Sequence, residues 1–301
     1  LRSKESSQKI HFVTGKGGTG KSLVGASIAY GYAKKGARVL LIELGPISFY
    51  ENFFHLGSMG PQPVGLVKNL DIVLLTAESC LKEYVLHYLR VKKIYEIFFE
   101  NRVMRAFIQA APAVAELSIL GKITSQIRHV GPPMEYDHVV VDAYATGHFL
   151  ALLRSPAALG EMIHTGPFGV ESRKIIEVLL NPQCCDYTLV ATPEPLPVQE
   201  TKELQEALMA EFGIKAQVLV NKVLNIEPTE ESVSQLGQIT KVEEPSVLQF
   251  CTYLNYVRRR QDSALLQLKD LDKNLKYFPW LMNTTEPIKM LELLSERYFH
   301  E

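Results

Sequence analysis

Residues 15 to 22 read Gly15-Lys16-Gly17-Gly18-Thr19-Gly20-Lys21-Ser22. This is the spacing of a phosphate-binding loop, G-x-x-x-x-G-K-[ST], with no departure. Its flanks agree: the apolar run KIHFVT at 9–14 precedes it, and a helical pattern follows from Lys21 to about Lys35. Each residue type has a physical task. Glycines allow successive main-chain N–H groups to converge on phosphate oxygens, and the helix behind them offers its positive end and unpaired donors. Lys21 is placed to neutralise charge between β and γ phosphates, and Ser22 to put a hydroxyl on Mg²⁺. The candidate binding set is therefore Gly15 to Ser22, with a magnesium nucleotide as the implied ligand.

Outward from the loop, further apolar runs recur: RVLLIE at 38–43, DIVLLTA at 71–77, DHVVVDA at 137–143, DYTLVATPE at 186–194 and AQVLVNKV at 216–223. They are nearly continuous in Val, Ile and Leu, as expected of central strands covered by helices on both faces. The pattern predicts an α/β fold, a three-layer P-loop NTPase sandwich with a mostly parallel sheet. Residues 80–130 and 148–181 exceed simple crossovers and are read as a helical elaboration, within a single domain spanning 1–301 that shows no linker or repeat. Ile288, Leu291, Leu294 and Phe299 are spaced for a docked C-terminal helix.

Composition limits the function classes. The 301 residues are 47% hydrophobic and 22% charged, which excludes global disorder. Thirty-two basic against 33 acidic residues give a net charge of −1, so no bulk drive toward nucleic acid is expected. Cys80, Cys184, Cys185 and Cys251 form no C-x-x-C pair, so neither a disulfide framework nor structural zinc is expected, and a reducing, cytoplasmic setting fits best. The opening LRSKESSQKI lacks the hydrophobic core of a signal peptide, and no eighteen-residue window reads as a membrane span.

Residues 139–148 read VVVDAYATGH, with Asp142 near the end of an apolar strand, where a carboxylate can hold Mg²⁺ directly or through water. Together with the loop, this stretch carries a resemblance. GKGGTGKS resembles the deviant phosphate loop of nucleotide-driven dimeric ATPases, and Asp142…Thr146-Gly147-His148 with Pro156 behind is similar to the matching switch of the ArsA-like branch, the anion-transporting and tail-anchored-protein-targeting ATPases. LSILGKI at 117–123 and TLVATPEPLPVQETKEL at 188–204 follow in the same order. The resemblance implies ATP or ADP with Mg²⁺ and a homodimer in which Lys16 reaches the partner's nucleotide. It implies catalytic roles for Lys16, Lys21 and Asp142, metal ligation by Ser22 and Asp142, and base recognition by Asn221 in VLVNKV. It also implies an adenine-side loop around Phe278-Pro279-Trp280, where an aromatic core corner is the competing reading.

Two departures bear on activity. Ala143 and Ala145 replace the family's threonine and proline after the aspartate. In switch I the family's water-organising aspartate falls on Gly45 within Glu43-Leu44-Gly45-Pro46, and glycine has no group to orient or deprotonate water. Glu43 and Glu51 are the candidate substitutes. The expected activity is Mg-dependent ATP binding coupled to dimer closure, with hydrolysis open. The alternatives are a nonhydrolysing nucleotide-dependent regulator and a partitioning or positioning ATPase. Apolar positions from Leu81 through Ile94, Ile97, Phe98 and Met104 to Phe107 and Ile108 admit either bundle core or a groove for a hydrophobic protein or membrane-protein client.

Overall fold

The computed structural model describes residues 8–89, 112–131, 133–162, 167–225, 244–281 and 286–300. The strands and helices in chain order are β1 (Lys9–Gly15), α1 (Lys21–Lys34), β2 (Val39–Leu44), α2 (Phe49–Phe53), β3 (Val64–Val67), β4 (Leu70–Leu75), α3 (Ala77–Leu89), α4 (Pro112–Ile123) and α5 (Ser125–Arg128). They continue with β5 (His138–Ala145), α6 (Thr146–Met162), α7 (Pro167–Leu180), β6 (Cys185–Ala191), α8 (Pro195–Phe212), β7 (Gln217–Val223), α9 (Glu244–Lys269), β8 (Lys276–Pro279) and α10 (Pro287–His300). One sheet has the order β3-β4-β2-β5-β1-β6-β7-β8. All pairings are parallel except the edge pair β3–β4.

The unbroken apolar runs are explained by burial on both sides. Successive strand residues point to opposite faces. Leu40 and Ile42 of β2, with Val139 and Val141 of β5, pack in one core with Leu120 of α4, Phe149 and Leu152 of α6 and Ile175 of α7. Val39, Leu41 and Val140 face the other way, into a core with Val24 and Ile28 of α1 and Leu291 and Leu294 of α10. The result is the expected three-layer α/β sandwich with a mostly parallel sheet. A third core joins Val218 and Val220 of β7 to Val198 of α8 and Ala264 and Leu268 of α9.

The predicted strands all form, with ends shifted by a residue or a few. The short edge strands β3 and β8 lie outside the sequence expectation, because four residues with part-buried sides leave little periodicity to read. α8 starts at Pro195, because proline in the first helical turn loses only an N–H that has no intrahelical acceptor. Where described, the helices of 80–130 and 148–181 cover a face of the sheet. Ile94, Ile97, Phe98, Met104, Phe107 and Ile108 of the groove reading lie outside the described residues. Among the described residues no helix is long and apolar enough to cross a membrane, and all four cysteines are free.

Candidate nucleotide site

β1 lies between β5 and β6, so the loop at its carboxyl end opens at the middle of the sheet with α1 directly behind it. Ligands of open parallel sheets bind at this end of the strands. Gly15 has φ +145°, and a Cβ there would sit 2.2 Å from the Val190 carbonyl oxygen of β6. Only glycine lets the loop leave the strand at that separation. The Thr19 hydroxyl donates to the Lys16 carbonyl at 2.8 Å and closes the turn.

The end of β7 braces the loop from the side. Buried Asn221 donates from Nδ2 to the Thr19 carbonyl at 2.8 Å, and its Oδ1 accepts from Lys222 N at 2.9 Å. Gly20, at φ +88°, passes so close that a Cβ would fall 2.3 Å from Asn221 Nδ2. Lys222 is itself left-handed, φ 59°, and its ammonium donates to the Gly18 carbonyl at 3.2 Å. Lys222 has no signature in the sequence beyond its place after Asn221. Pro279 ends β8 opposite Val223, and Trp280 N donates to the Val223 carbonyl at 2.9 Å. The 278–280 stretch is thus mostly edge strand. Phe278 is buried in the core, and Trp280 is exposed.

Behind the loop sits the charged part of the site. Asp142 is buried on β5, in register with Val13 of β1 and Glu43 of β2. Burial lifts its carboxyl from 3.8 to about 6, against the opposing pull of a Ser22 hydrogen bond and the Lys21 charge, while Glu43 pushes it further up. Burial lowers Lys21, and Asp142 opposes that. The Lys21 ammonium donates to the Lys16 carbonyl at 3.3 Å. Tyr50 Oη lies 2.8 Å from the Ser22 carbonyl oxygen and 3.2 Å from Asp142 Oδ2, a role that no motif in the sequence announces.

This donor set fits a magnesium nucleotide. A desolvated carboxylate beside a hydroxyl is short of positive charge, and a desolvated lysine at a ring of glycine N–H groups is short of negative charge. Among the described residues no three His, Cys, Asp or Glu side chains gather as a metal cage. Ser22 and Asp142 are the side chains that would hold Mg²⁺, together with phosphate oxygens and water, the usual arrangement for this ion.

Neither candidate substitute for the missing aspartate is free. Glu43 accepts from the Ser48 hydroxyl at 2.5 Å and from Phe49 N at 2.6 Å, which fixes the start of α2. Glu51 accepts from Met59 N at 3.1 Å. Gly45 has φ +148° and open space where a side chain would go. Lys16, on the rim of the loop, is paired with Glu200 of α8, and the other Glu200 oxygen lies 3.4 Å from the Thr146 hydroxyl at the start of α6. Gly147 and His148 are exposed in the first turn of α6.

A strand, a glycine loop closed by Lys21-Ser22, and a buried aspartate on the neighbouring strand define a P-loop nucleotide-binding protein. Comparison with known sequences narrows the class. The family described as anion-transporting ATPase matches residues 8–166. The chain is 28% identical over 257 residues to ATPase BagA of Mycobacterium tuberculosis, an alignment covering 79% of this chain and 72% of that protein. It is 26% identical over 265 residues to putative arsenical pump-driving ATPase 2 of Aquifex aeolicus, covering 77% and 86%. An arsenical pump-driving ATPase of Escherichia coli is 27% identical over 226 residues, covering 69% of this chain but 38% of its own length. The chain belongs to the ArsA-type anion-transporting ATPase family, whose members bind ATP.

Proposed function

We propose that this chain binds Mg-ATP between the phosphate loop, Asp142 and the end of β7, and that nucleotide state drives closure of a homodimer. The observation that carries the reading is the joint placement of Lys21, Ser22 and Asp142 at the mouth of the glycine turn. Lys21 would orient the β and γ phosphates, and Ser22 with Asp142 would hold the cation that offsets charge on the phosphate oxygens. Asn221 retains one amide hydrogen and one lone pair for the adenine edge, with Pro279 on the adjoining strand end. Lys16 would exchange its contact in its own subunit for the partner's phosphates.

Hydrolysis is slow in this reading. Both Glu43 oxygens and one Glu51 oxygen are held by local donors, and position 45 lacks a side chain, so among the described switch I residues neither acid is placed as the family's aspartate is to orient the attacking water. Loss of such a group costs about 10²–10⁴ in rate. The same observation favours a second reading, a regulator that binds and dimerises without turnover. A hydrophobic protein or membrane-protein segment is the proposed client. Metalloid transport finds less support. Cys80, Cys185 and Cys251 are buried and Cys184 alone is part-exposed, so the thiols are not presented together to a metalloid. Phosphate release measured alongside sizing in Mg-ATP tests the proposal. Nucleotide-linked dimers with slow turnover support the ATPase, dimers with no turnover select the regulator, and monomers throughout defeat the coupling.

A further inference from the structure

The Lys16–Glu200 pair links three pieces of the site through one carboxylate. Glu200 lies in the second turn of α8, directly after β6, the strand that packs against the loop-bearing β1. One of its oxygens pairs with the Lys16 ammonium, and the other lies 3.4 Å from the Thr146 hydroxyl, four residues beyond Asp142. The Lys16 and Glu200 side chains are 28% and 26% exposed. A pair in that position is still reached by water, so its strength is modest and a better partner can displace it. Triphosphates in a closing dimer are such partners, since the ammonium can turn from the carboxylate to phosphate oxygens of the partner's nucleotide and the hydroxyl to those at its own loop.

We propose that Glu200 is a positioning residue, a latch that holds Lys16 within its own subunit and ties it to the start of α6 until nucleotide arrives. The proposal rests on the nucleotide reading above and adds what sets the resting position of Lys16. Dimer closure on bound nucleotide must break the latch, so the latch opposes binding that is coupled to closure. Removing the Glu200 charge tightens nucleotide binding, and it does so only when Lys16 is present to be released.

The test is calorimetric titration of the full chain with the magnesium complex of β,γ-imido-ATP, on the unmodified protein, Glu200→Gln, Lys16→Ala and the double variant. Glu200→Gln is isosteric at a part-exposed site, and Glu200→Ala repeats the measurement without the amide. The expected result is affinity about two- to fivefold tighter for Glu200→Gln, the range a part-exposed ion pair supplies, and no further change when the same substitution is added to Lys16→Ala. The gap between unmodified protein and Glu200→Gln should also close as ionic strength approaches about 1 M, because salt screens the pair. Unchanged or weaker binding in Glu200→Gln, an equal shift in both backgrounds, or a gap that salt does not move each overturns the latch. Lys21→Ala in the same titration separates the two claims. Binding that survives it defeats the nucleotide reading. Binding that disappears there while Glu200→Gln has no effect defeats the latch alone.

Discussion

Replacing Asp142 by Asn should stabilise the protein without nucleotide while removing its magnesium response. The Asp142 carboxyl is raised from 3.8 to about 6, chiefly by burial. The sign follows from linkage. A folded pKa above the unfolded one means the native state holds the proton more tightly, so the group's contribution to stability declines as pH rises from about 4 to 6 and stays lost above. A shift of about 2 units corresponds to about 3 kcal/mol at pH 7.5. Asn carries no charge and retains an acceptor for Tyr50, but weakens the contacts with Ser22 and Lys21. Offsetting those by about 1–2 kcal/mol leaves a net gain of about 1–2 kcal/mol, or about 2–5 °C in Tm for a chain of this size. Thermal unfolding of both proteins at pH 7.5 and pH 5, without nucleotide, measures it. At pH 5 the wild-type carboxyl is largely protonated when folded, so the difference should shrink by about half the ionisation cost. A lower Tm for Asp142→Asn at pH 7.5, or a difference that pH does not alter, would refute the claim that this carboxylate is held short of a cation.

Other substitutions probe the rest of the site. Gly15→Ala drives a methyl to within 2.2 Å of a main-chain oxygen at φ +145°, so melting should show a loss of about 2 kcal/mol or more, with nucleotide binding abolished. Asn221→Ala removes the brace on the Thr19 carbonyl, and a loss of about 1–2 kcal/mol with weakened Mg-ATP affinity is expected by melting and titration. Gly45→Asp meets open space but a strained φ of +148°. It should cost about 1–3 kcal/mol in Tm-derived stability and, by supplying the missing carboxylate, raise phosphate release at least about 10-fold.

The loop, the parallel sheet and Asp142 were legible because each is written in local sequence. Gly15 to Ser22 has fixed spacing, and doubly buried strands such as Val39–Leu44 read as unbroken apolar runs. The docked α10 was legible for the same reason, since Leu291 and Leu294 fall one turn apart on its buried face. Tyr50, Lys222 and Glu200 were not legible. Each reaches the site from a separate element across 28, 204 and 184 residues of chain respectively, and no local pattern records such an approach. The commitment of Glu43 to Ser48 and Phe49 was hidden likewise, because an acid at a strand end looks the same whether it caps a helix or faces solvent.

The most direct test of the central claim, that the glycine turn grips a magnesium nucleotide through Lys21, is titration of Mg-ATP into unmodified protein and into Lys21→Ala under identical salt. Saturable binding by the first and none by the second is the predicted result. Equal affinities, or no binding by either, would contradict it.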